Sequence, residues 1–163
     1  MSSYKVLHKQ KFESGNFSLI PIRFEDRLDI MKWRNEQIYH LRQKKPLTIE
    51  NQEVYFKTII SNLFNQEQPN QILFSFLENN NLIGYGGLVH LNWFDKNAEI
   101  SFIMSTELEE CRFEDVWKAY LKLIEQVAFN ELKFHKIFTY AFDLRPNLYP
   151  VLISAGFKEE ARL

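Results

Sequence analysis

Residues 71–105 read QILFSFLENNNLIGYGGLVHLNWFDKNAEISFIMS, and this stretch decides the fold. Its apolar segments at 71–77, 82–91 and 96–105 have the length of strands. The Asn-rich turn at 78–81 is typical of a hairpin. The stretch therefore predicts a three-stranded antiparallel meander, and the third strand alternates between two faces. One face carries Ala98, Ile100, Phe102 and Met104, and the other carries Glu99, Ser101 and Ile103.

The segments on either side of the meander complete an α/β pattern. Apolar residues at helical spacing predict helices at 24–35, 48–64, 113–132 and 147–155. Further strands are predicted at 17–22, at 135–142 and from 157 onward. The order β-α-α-β-β-β-α-β-α-β has no linker or repeat, so we expect a single domain over residues 1–163. Within it, residues 1–15 are expected to be flexible or loosely packed.

The composition of the chain limits the kinds of protein that it can be. The chain has 163 residues, 45% of them hydrophobic, with 20 basic and 21 acidic residues and a net charge of −1. The apolar share predicts a globular core, while the charge gives no attraction to nucleic acid or to an anionic membrane. A single cysteine, Cys111, excludes an internal disulfide and a Cys-rich zinc site. We therefore expect a cytoplasmic protein with neither a membrane segment nor a metal.

Glycine is scarce in this chain, with five residues in 163. Three of them lie at Gly84, Gly86 and Gly87, and the stretch from 88 to 155 has none. The spacing at 84–87 fits neither a Walker loop nor a dinucleotide-binding loop. The sequence therefore contains neither of these two nucleotide-binding motifs.

Five short motifs in order resemble the GNAT superfamily of N-acetyltransferases, in its ribosomal-protein and sugar-nucleotide branch. They are Trp33-Arg34-Asn35, LIGYGGL at 82–88, NAEI at 97–100, AFNEL at 128–132 followed by HKI at 135–137, and AGFKEE at 155–160. The resemblance implies a mixed, mostly antiparallel sheet flanked by helices. It also implies transfer of an acetyl group from acetyl-CoA to an amine of a small molecule, an amino sugar nucleotide or a protein N-terminus. A homodimer is a further expectation, because exposed aromatic residues on the meander could support one.

The resemblance implies roles for particular residues. Glu99 would be the general base, since a carboxylate shielded from water takes up a proton more readily; the alternative is a salt bridge or exposure at the strand end. His90 would shuttle protons, or it is a surface residue. Tyr149 would be the proton donor, or it is a packing residue, because the family's tyrosine position holds Leu152.

Binding residues follow from the same resemblance. Backbone amides of Ile103, Met104 and Ser105 would hold the donor, and Arg112 would begin the cradle for its pyrophosphate. The acceptor would meet Trp33, Arg34 and Tyr85, with Tyr85 placed where the backbone passes close to a ligand. As the alternative, Trp33 and Arg34 pack at the end of a helix.

The pyrophosphate cradle departs from the family pattern. Asp115 and Trp117 occupy its two glycine positions, and residues 107–115 hold five acids against one arginine, a net −4. Such a segment repels an anion. A structural interpretation also fits: Glu114 and Asp115 complement a helix dipole and Trp117 lies on an apolar stripe. The alternatives to a standard enzyme are a catalytically degenerate binding or regulatory module, and an acyltransferase that uses a different donor or holds CoA by its pantetheine alone.

Overall fold

The structure is a computed structural model that describes residues 2–140 and 144–162. Six strands form one sheet in the order β1 to β6, antiparallel except for the parallel pair β5–β6. This mixed, mostly antiparallel sheet flanked by helices confirms the predicted α/β fold. The strands are β1 Phe12–Ser14, β2 Phe17–Pro21, β3 Gln71–Glu78, β4 Asn81–Asn92, β5 Asn97–Met104 and β6 Lys136–Phe138.

The helices lie on both faces of the sheet. They are α1 Arg27–Glu36, α2 Ile49–Tyr55, α3 Ser61–Leu63, α4 Thr106–Cys111, α5 Phe113–Glu125 and α6 Leu148–Ser154. A π-helical turn at Phe56–Ile60 joins α2 to α3, and another at Gln126–Glu131 extends α5. The Thr48 hydroxyl caps α2 by accepting from the Asn51 amide at 3.1 Å, as its position before the apolar stripe predicts.

One apolar core lies on each face of the sheet. The even-numbered residues of β5, such as Phe102, face α5 and α6, and Ile103 faces α1 to α3 with Trp33 and Tyr85. This alternation is the one predicted from the meander, and it places the Glu99 side of β5 towards α1 to α3. Because β5 and β6 are parallel, α5 serves as the crossover between them.

The N-terminal segment is packed into the larger core, instead of lying loose as expected. Tyr4, Leu7 and Phe12 are buried, and Phe12–Ser14 adds a strand to the edge of the sheet. The Tyr4 hydroxyl donates to the Leu73 carbonyl at 2.7 Å and accepts from the Leu73 amide at 2.9 Å. These apolar residues are too widely spaced to form a periodic pattern, so only tertiary contacts reveal their role.

The C-terminal prediction also needs correction. Among the described residues, 157–162 form no strand; Phe157 packs against the core and the charged residues after it are exposed. Of the strand predicted at 135–142, the structure has Lys136–Phe138, while residues 141 and 142 lie outside the described part. Gly156 ends α6 with φ of 98°, as predicted for a helix C-cap.

The glycines of β4 allow close approach between parts of the protein itself. A Cβ on Gly86 would lie 2.2 Å from the Ser101 carbonyl oxygen and 2.6 Å from the Tyr120 hydroxyl. On Gly87 it would lie 1.9 Å from the Ile72 carbonyl oxygen. The glycines around Tyr85 therefore fit β4 between β3, β5 and α5.

Gly86→Ala is expected to lower the free energy of unfolding by about 2–3 kcal/mol, because the new methyl group overpacks against backbone that cannot move freely. Urea unfolding measures this loss. Gly15→Ala is the control, since its Cβ meets nothing within 4 Å and only the positive φ costs stability, about 1 kcal/mol. Equal losses in the two variants would show that the close contacts do not matter.

Candidate active site at the fork between β5 and β6

The parallel strands β5 and β6 part at Glu99. The pairs between them are Asn97 with Lys136, Ala98 with Ile137 and Glu99 with Phe138. Beyond Glu99, β5 continues to Met104 without pairing to β6. Within the described residues, this leaves a fork at Glu99 and an open edge of β5 over residues 100–104.

Backbone groups of alternate residues line that open edge. The Ser105 amide donates to the Ile83 carbonyl of β4 at 2.8 Å, so Ser105 faces away from the edge. Along a strand, the N–H and C=O groups of neighbouring residues point to opposite edges. The backbone groups of Met104 and Phe102 therefore point to the open edge. The Met104 carbonyl accepts there from Gln37 Nε2 at 2.8 Å. Of the three residues predicted to hold the donor, only Met104 presents its backbone here, and Phe102 was not predicted.

Glu99 is the carboxylate at the fork, and it has an arginine partner. Glu99 Oε1 lies 3.7 Å from Arg42 Nη2, and the Glu99 side chain is 13% exposed. The Arg42 guanidinium also lies 5.6 Å from the centroid of the Tyr140 ring. The salt bridge considered as an alternative for Glu99 is thus present. Its partner comes from the loop after α1, which has no periodicity that would predict the contact.

His90 follows Val89, the residue of β4 that pairs with Glu99, but it makes no contact with the Glu99 carboxylate. It is exposed and adopts a left-handed φ of 50° where the β4–β5 register shifts. A bulge of this kind re-aims side chains at the rim of a sheet.

Trp33, Arg34 and Tyr85 come together on the same face of the sheet as Glu99. Trp33 and Tyr85 are buried in the smaller core. Arg34 Nη1 donates to the Tyr85 hydroxyl at 2.5 Å, and Arg34 Nε donates to Gln43 Oε1 at 2.9 Å. Both partners are neutral, and within residues 2–140 and 144–162 no carboxylate forms an ion pair with Arg34. Among the described residues, this half-buried guanidinium is therefore held by neutral groups.

The position predicted for a proton donor lies on the other side of the sheet. Tyr149 is on the first turn of α6, whose buried residues belong to the core shared with α5, and it is 37% exposed. Leu152, which occupies the family's tyrosine position, is buried in that core. No contact in the described part of the chain links Tyr149 to Glu99.

A short helix that was not predicted, α4, fills the segment between β5 and α5. The Ser105 hydroxyl caps it by accepting from the Leu108 amide at 3.4 Å. Glu109 Oε1 pairs with Arg145 Nη1 at 2.8 Å, with side chains only 10% and 15% exposed. This ion pair ties α4 to the segment before α6.

Arg112 is engaged by two carboxylates. Nη1 and Nη2 form a bidentate pair with the two oxygens of Glu78, at 2.7 and 2.8 Å, and Nη2 also reaches Asp115 Oδ2 at 2.6 Å. The hydrogen bonds from Arg112 lower the pKa of Glu78 below its usual range. Trp117 packs edge-on against Phe102 with ring centroids 4.8 Å apart, which supports its interpretation as a core residue.

Gln37 links the open edge of β5 to the first residue of α4 and to His40. It is buried, and besides the Met104 carbonyl it contacts Thr106 Oγ1 at 3.3 Å and His40 Nε2 at 3.1 Å. Burial, reinforced by the charge of Arg145, lowers the pKa of His40 to about 4. His40 is therefore neutral near pH 7, and its Nε2–H donates to Gln37 Oε1.

A shallow depression of about 490 Å³ lies at the start of α5, lined by Cys111, Arg112, Phe113, Glu114, Asp115 and Lys118. Within the described ranges, no three His, Cys, Asp or Glu side chains cluster so as to hold a metal ion. None of the described helices has both the length and the apolarity for a membrane crossing.

Solved structures with the same fold include spermidine N-acetyltransferase from Vibrio cholerae in complex with CoA and spermine. That structure has a TM-score of 0.74 and 21% identity, covering 92% of this chain and 85% of that one. A dodecameric structure of the same enzyme in an intermediate state gives 0.72 and 23%, covering 92% and 84%. A probable acetyltransferase gives 0.74 and 20%, again covering 92% and 84%. No curated protein matches the chain by sequence. The family model for the acetyltransferase (GNAT) domain matches residues 20–163, and the chain belongs to that family.

Proposed function

We propose that the protein transfers an acetyl group from acetyl-CoA to the amine of a small molecule, an amino sugar nucleotide or a protein N-terminus. The observation that carries the proposal is the position of Glu99, the last residue of β5 paired with β6. A thioester lying along the open edge of β5 has its acyl group at the fork, beside this carboxylate. The outward N–H groups of Phe102 and Met104 suit the amide oxygens of the pantetheine arm.

The reaction balances with residues on the Glu99 face. The acceptor ammonium loses a proton to Glu99, directly or through a water, and the free amine attacks the thioester carbonyl. The N–C bond forms and the C–S bond breaks, and the electron pair leaves on sulfur. The second proton lost by the acylated nitrogen passes through water to the thiolate, so the products are the acetylated amine, the free thiol and protonated Glu99. The mechanism therefore assigns no step to His90 or Tyr149.

The acceptor is an extended amine that carries a carboxylate or a phosphate. Arg34 supplies a guanidinium without a carboxylate partner among the described residues, held by the Tyr85 hydroxyl and Gln43. Tyr85 pairs across the sheet with Ile103, four residues from Glu99, and such a step spans about 13 Å of strand. An amino sugar nucleotide or a peptide N-terminus is long enough to reach both groups.

Matched amines that span this distance and differ by one anionic group test this acceptor class, for example a tetrapeptide with a free C-terminal carboxylate and the same peptide with a C-terminal amide. The charged member is expected to have a KM about tenfold lower, because a charge-assisted hydrogen bond to Arg34 adds about 1.4 kcal/mol. Arg34→Gln should abolish that difference and leave kcat unchanged. Lys32→Gln, at an exposed position on the same helix, is the control. A preference for polyamines such as spermidine over the anionic amines would contradict this acceptor class but not acetyl transfer.

A second candidate is a GNAT domain that binds without catalysing transfer. The observation that favours it is the ion pair that already engages Glu99 with Arg42. Acetylated product, detected by mass spectrometry after incubation with acetyl-CoA and the amine panel, separates the two. Product that forms only with the folded protein supports transfer, and its absence with every amine supports the binding module.

A further inference from the structure

We infer that the protein holds its CoA donor by the pantetheine arm alone, and that the nucleotide of CoA contributes no affinity. This inference rests on the proposed function. It concerns the segment from Ser105 to Asp115, between β5 and α5, where the family resemblance implies a pyrophosphate cradle. Three observations on hydrogen bonds, ion pairs and charge show that the residues in that segment do not fit a pyrophosphate.

First, several backbone donors are already used in α4 and at the start of α5, although the first-turn amides of α5 at 113–115 remain without a side-chain cap. The Leu108 amide donates to the Ser105 hydroxyl, and the Glu109 amide donates to the Ser105 carbonyl at 3.0 Å. The Arg112 amide donates to the Leu108 carbonyl at 2.8 Å, and the Val116 amide donates to the Arg112 carbonyl at 3.1 Å. A pyrophosphate cradle needs such N–H groups turned towards the ligand.

Second, the arginine of the segment is committed to carboxylates. Both terminal nitrogens of Arg112 bond to Glu78, and Nη2 also bonds to Asp115. A phosphate would have to displace two carboxylates from a bidentate arrangement. Lys118, the other cation lining the depression, is paired with Glu114 at 2.6 Å.

Third, the charge of the segment repels an anion. Its acids outnumber its one arginine by five to one, a net −4 over residues 107–115. Arg145, a cation from the segment before α6, is already paired with Glu109. Asp115 is largely exposed, so its carboxylate faces the solvent from which the pyrophosphate would approach.

The route along β5 towards this segment is also occupied. Gln37 bonds to the Met104 carbonyl at the end of the open edge, and Thr106 donates to Glu36 Oε1 at 2.7 Å just beyond it. The outward N–H groups of Phe102 and Met104, which have no partner within the described part of β6, lie before that point. The edge therefore suits the short pantetheine arm, and the nucleotide is left in solvent.

Calorimetry of the full chain with CoA, pantetheine and adenosine 3′,5′-bisphosphate tests the inference. We expect CoA and pantetheine to bind with dissociation constants within about threefold of each other, since the nucleotide gains no charge-assisted contacts. Adenosine 3′,5′-bisphosphate should give no heat. The kcat/KM values for acetyl-CoA and S-acetylpantetheine with one amine should likewise agree within about threefold.

The possible outcomes separate the inference from the proposed function. CoA binding more than about tenfold tighter than pantetheine, a difference of about 1.4 kcal/mol, would overturn the inference and leave acetyl transfer intact. Failure of both CoA and pantetheine to bind a folded protein would overturn both. Equal binding of the two supports both.

A variant pair tests the cause. Asp115→Asn removes one charge and one partner of Arg112, and it should tighten CoA binding about threefold or more while pantetheine binding stays constant. Glu107→Gln removes the same charge at an exposed position of α4, and it should have a smaller effect. Unchanged CoA binding in Asp115→Asn would contradict the assignment of Arg112 and Asp115 as the obstacle.

Discussion

Glu99→Gln is expected to lower kcat by about two to three orders of magnitude, the usual contribution of a general base. The amide keeps the size of the side chain but cannot take a proton from the acceptor ammonium. The KM for the thioester should change little, because the donor lies along backbone groups of β5. Steady-state kinetics with a fixed amine measures both constants.

Arg42→Gln is the matched control for Glu99→Gln, because it removes the other half of the same ion pair. If Glu99 serves only the salt bridge, the two variants should have the same effect on rate and on stability. If Glu99 is the base, Arg42→Gln should lower kcat by less than about tenfold, since a pair whose arginine is half exposed contributes about 1 kcal/mol. Equal losses of kcat would therefore contradict the role of Glu99 as the base.

Glu109→Gln is expected to lower the free energy of unfolding by about 2–4 kcal/mol. The change leaves Arg145, whose side chain is 15% exposed, as a poorly hydrated charge without its carboxylate partner. Urea unfolding followed by circular dichroism measures the loss.

Glu110→Gln provides the comparison for Glu109→Gln, because the next residue of α4 is exposed and loses the same charge. Its effect should stay within about 0.5 kcal/mol. If both variants lost the same stability, the effect would come from the net charge of α4 and not from its ion pair with Arg145.

The parts of the fold that follow from local patterns were predictable. The alternation in β5 placed Glu99 on the face opposite Phe102, and the cores on the two faces confirm it. Helix α4 was missed because Thr106–Cys111 has no apolar stripe and is held by the Ser105 cap and Arg145. The packing of Tyr4 was missed for a similar reason, since its hydrogen bonds join residues 69 positions apart.

The candidate site was predictable only on the strands. Tyr85 and Glu99 follow from the meander, but their arginine partners come from α1 and from the loop after it. Gln37 had no signal in the sequence, because an amide at the end of a helix is ordinary until a strand edge is brought beside it. The acidic residues at 107–115 did indicate that the segment repels anions. The structure adds the pairing of Arg112 with Glu78.

The central claim is acetyl transfer to an amine at the fork beside Glu99, and the release of free thiol from S-acetylpantetheine or acetyl-CoA tests it most directly. With the folded full chain and an amine that carries a carboxylate or phosphate, thiol release should depend on the amine and match the amount of acetylated product. It should fall by about two to three orders of magnitude in Glu99→Gln. No amine-dependent thiol release from either donor, or full release in Glu99→Gln, would contradict the account.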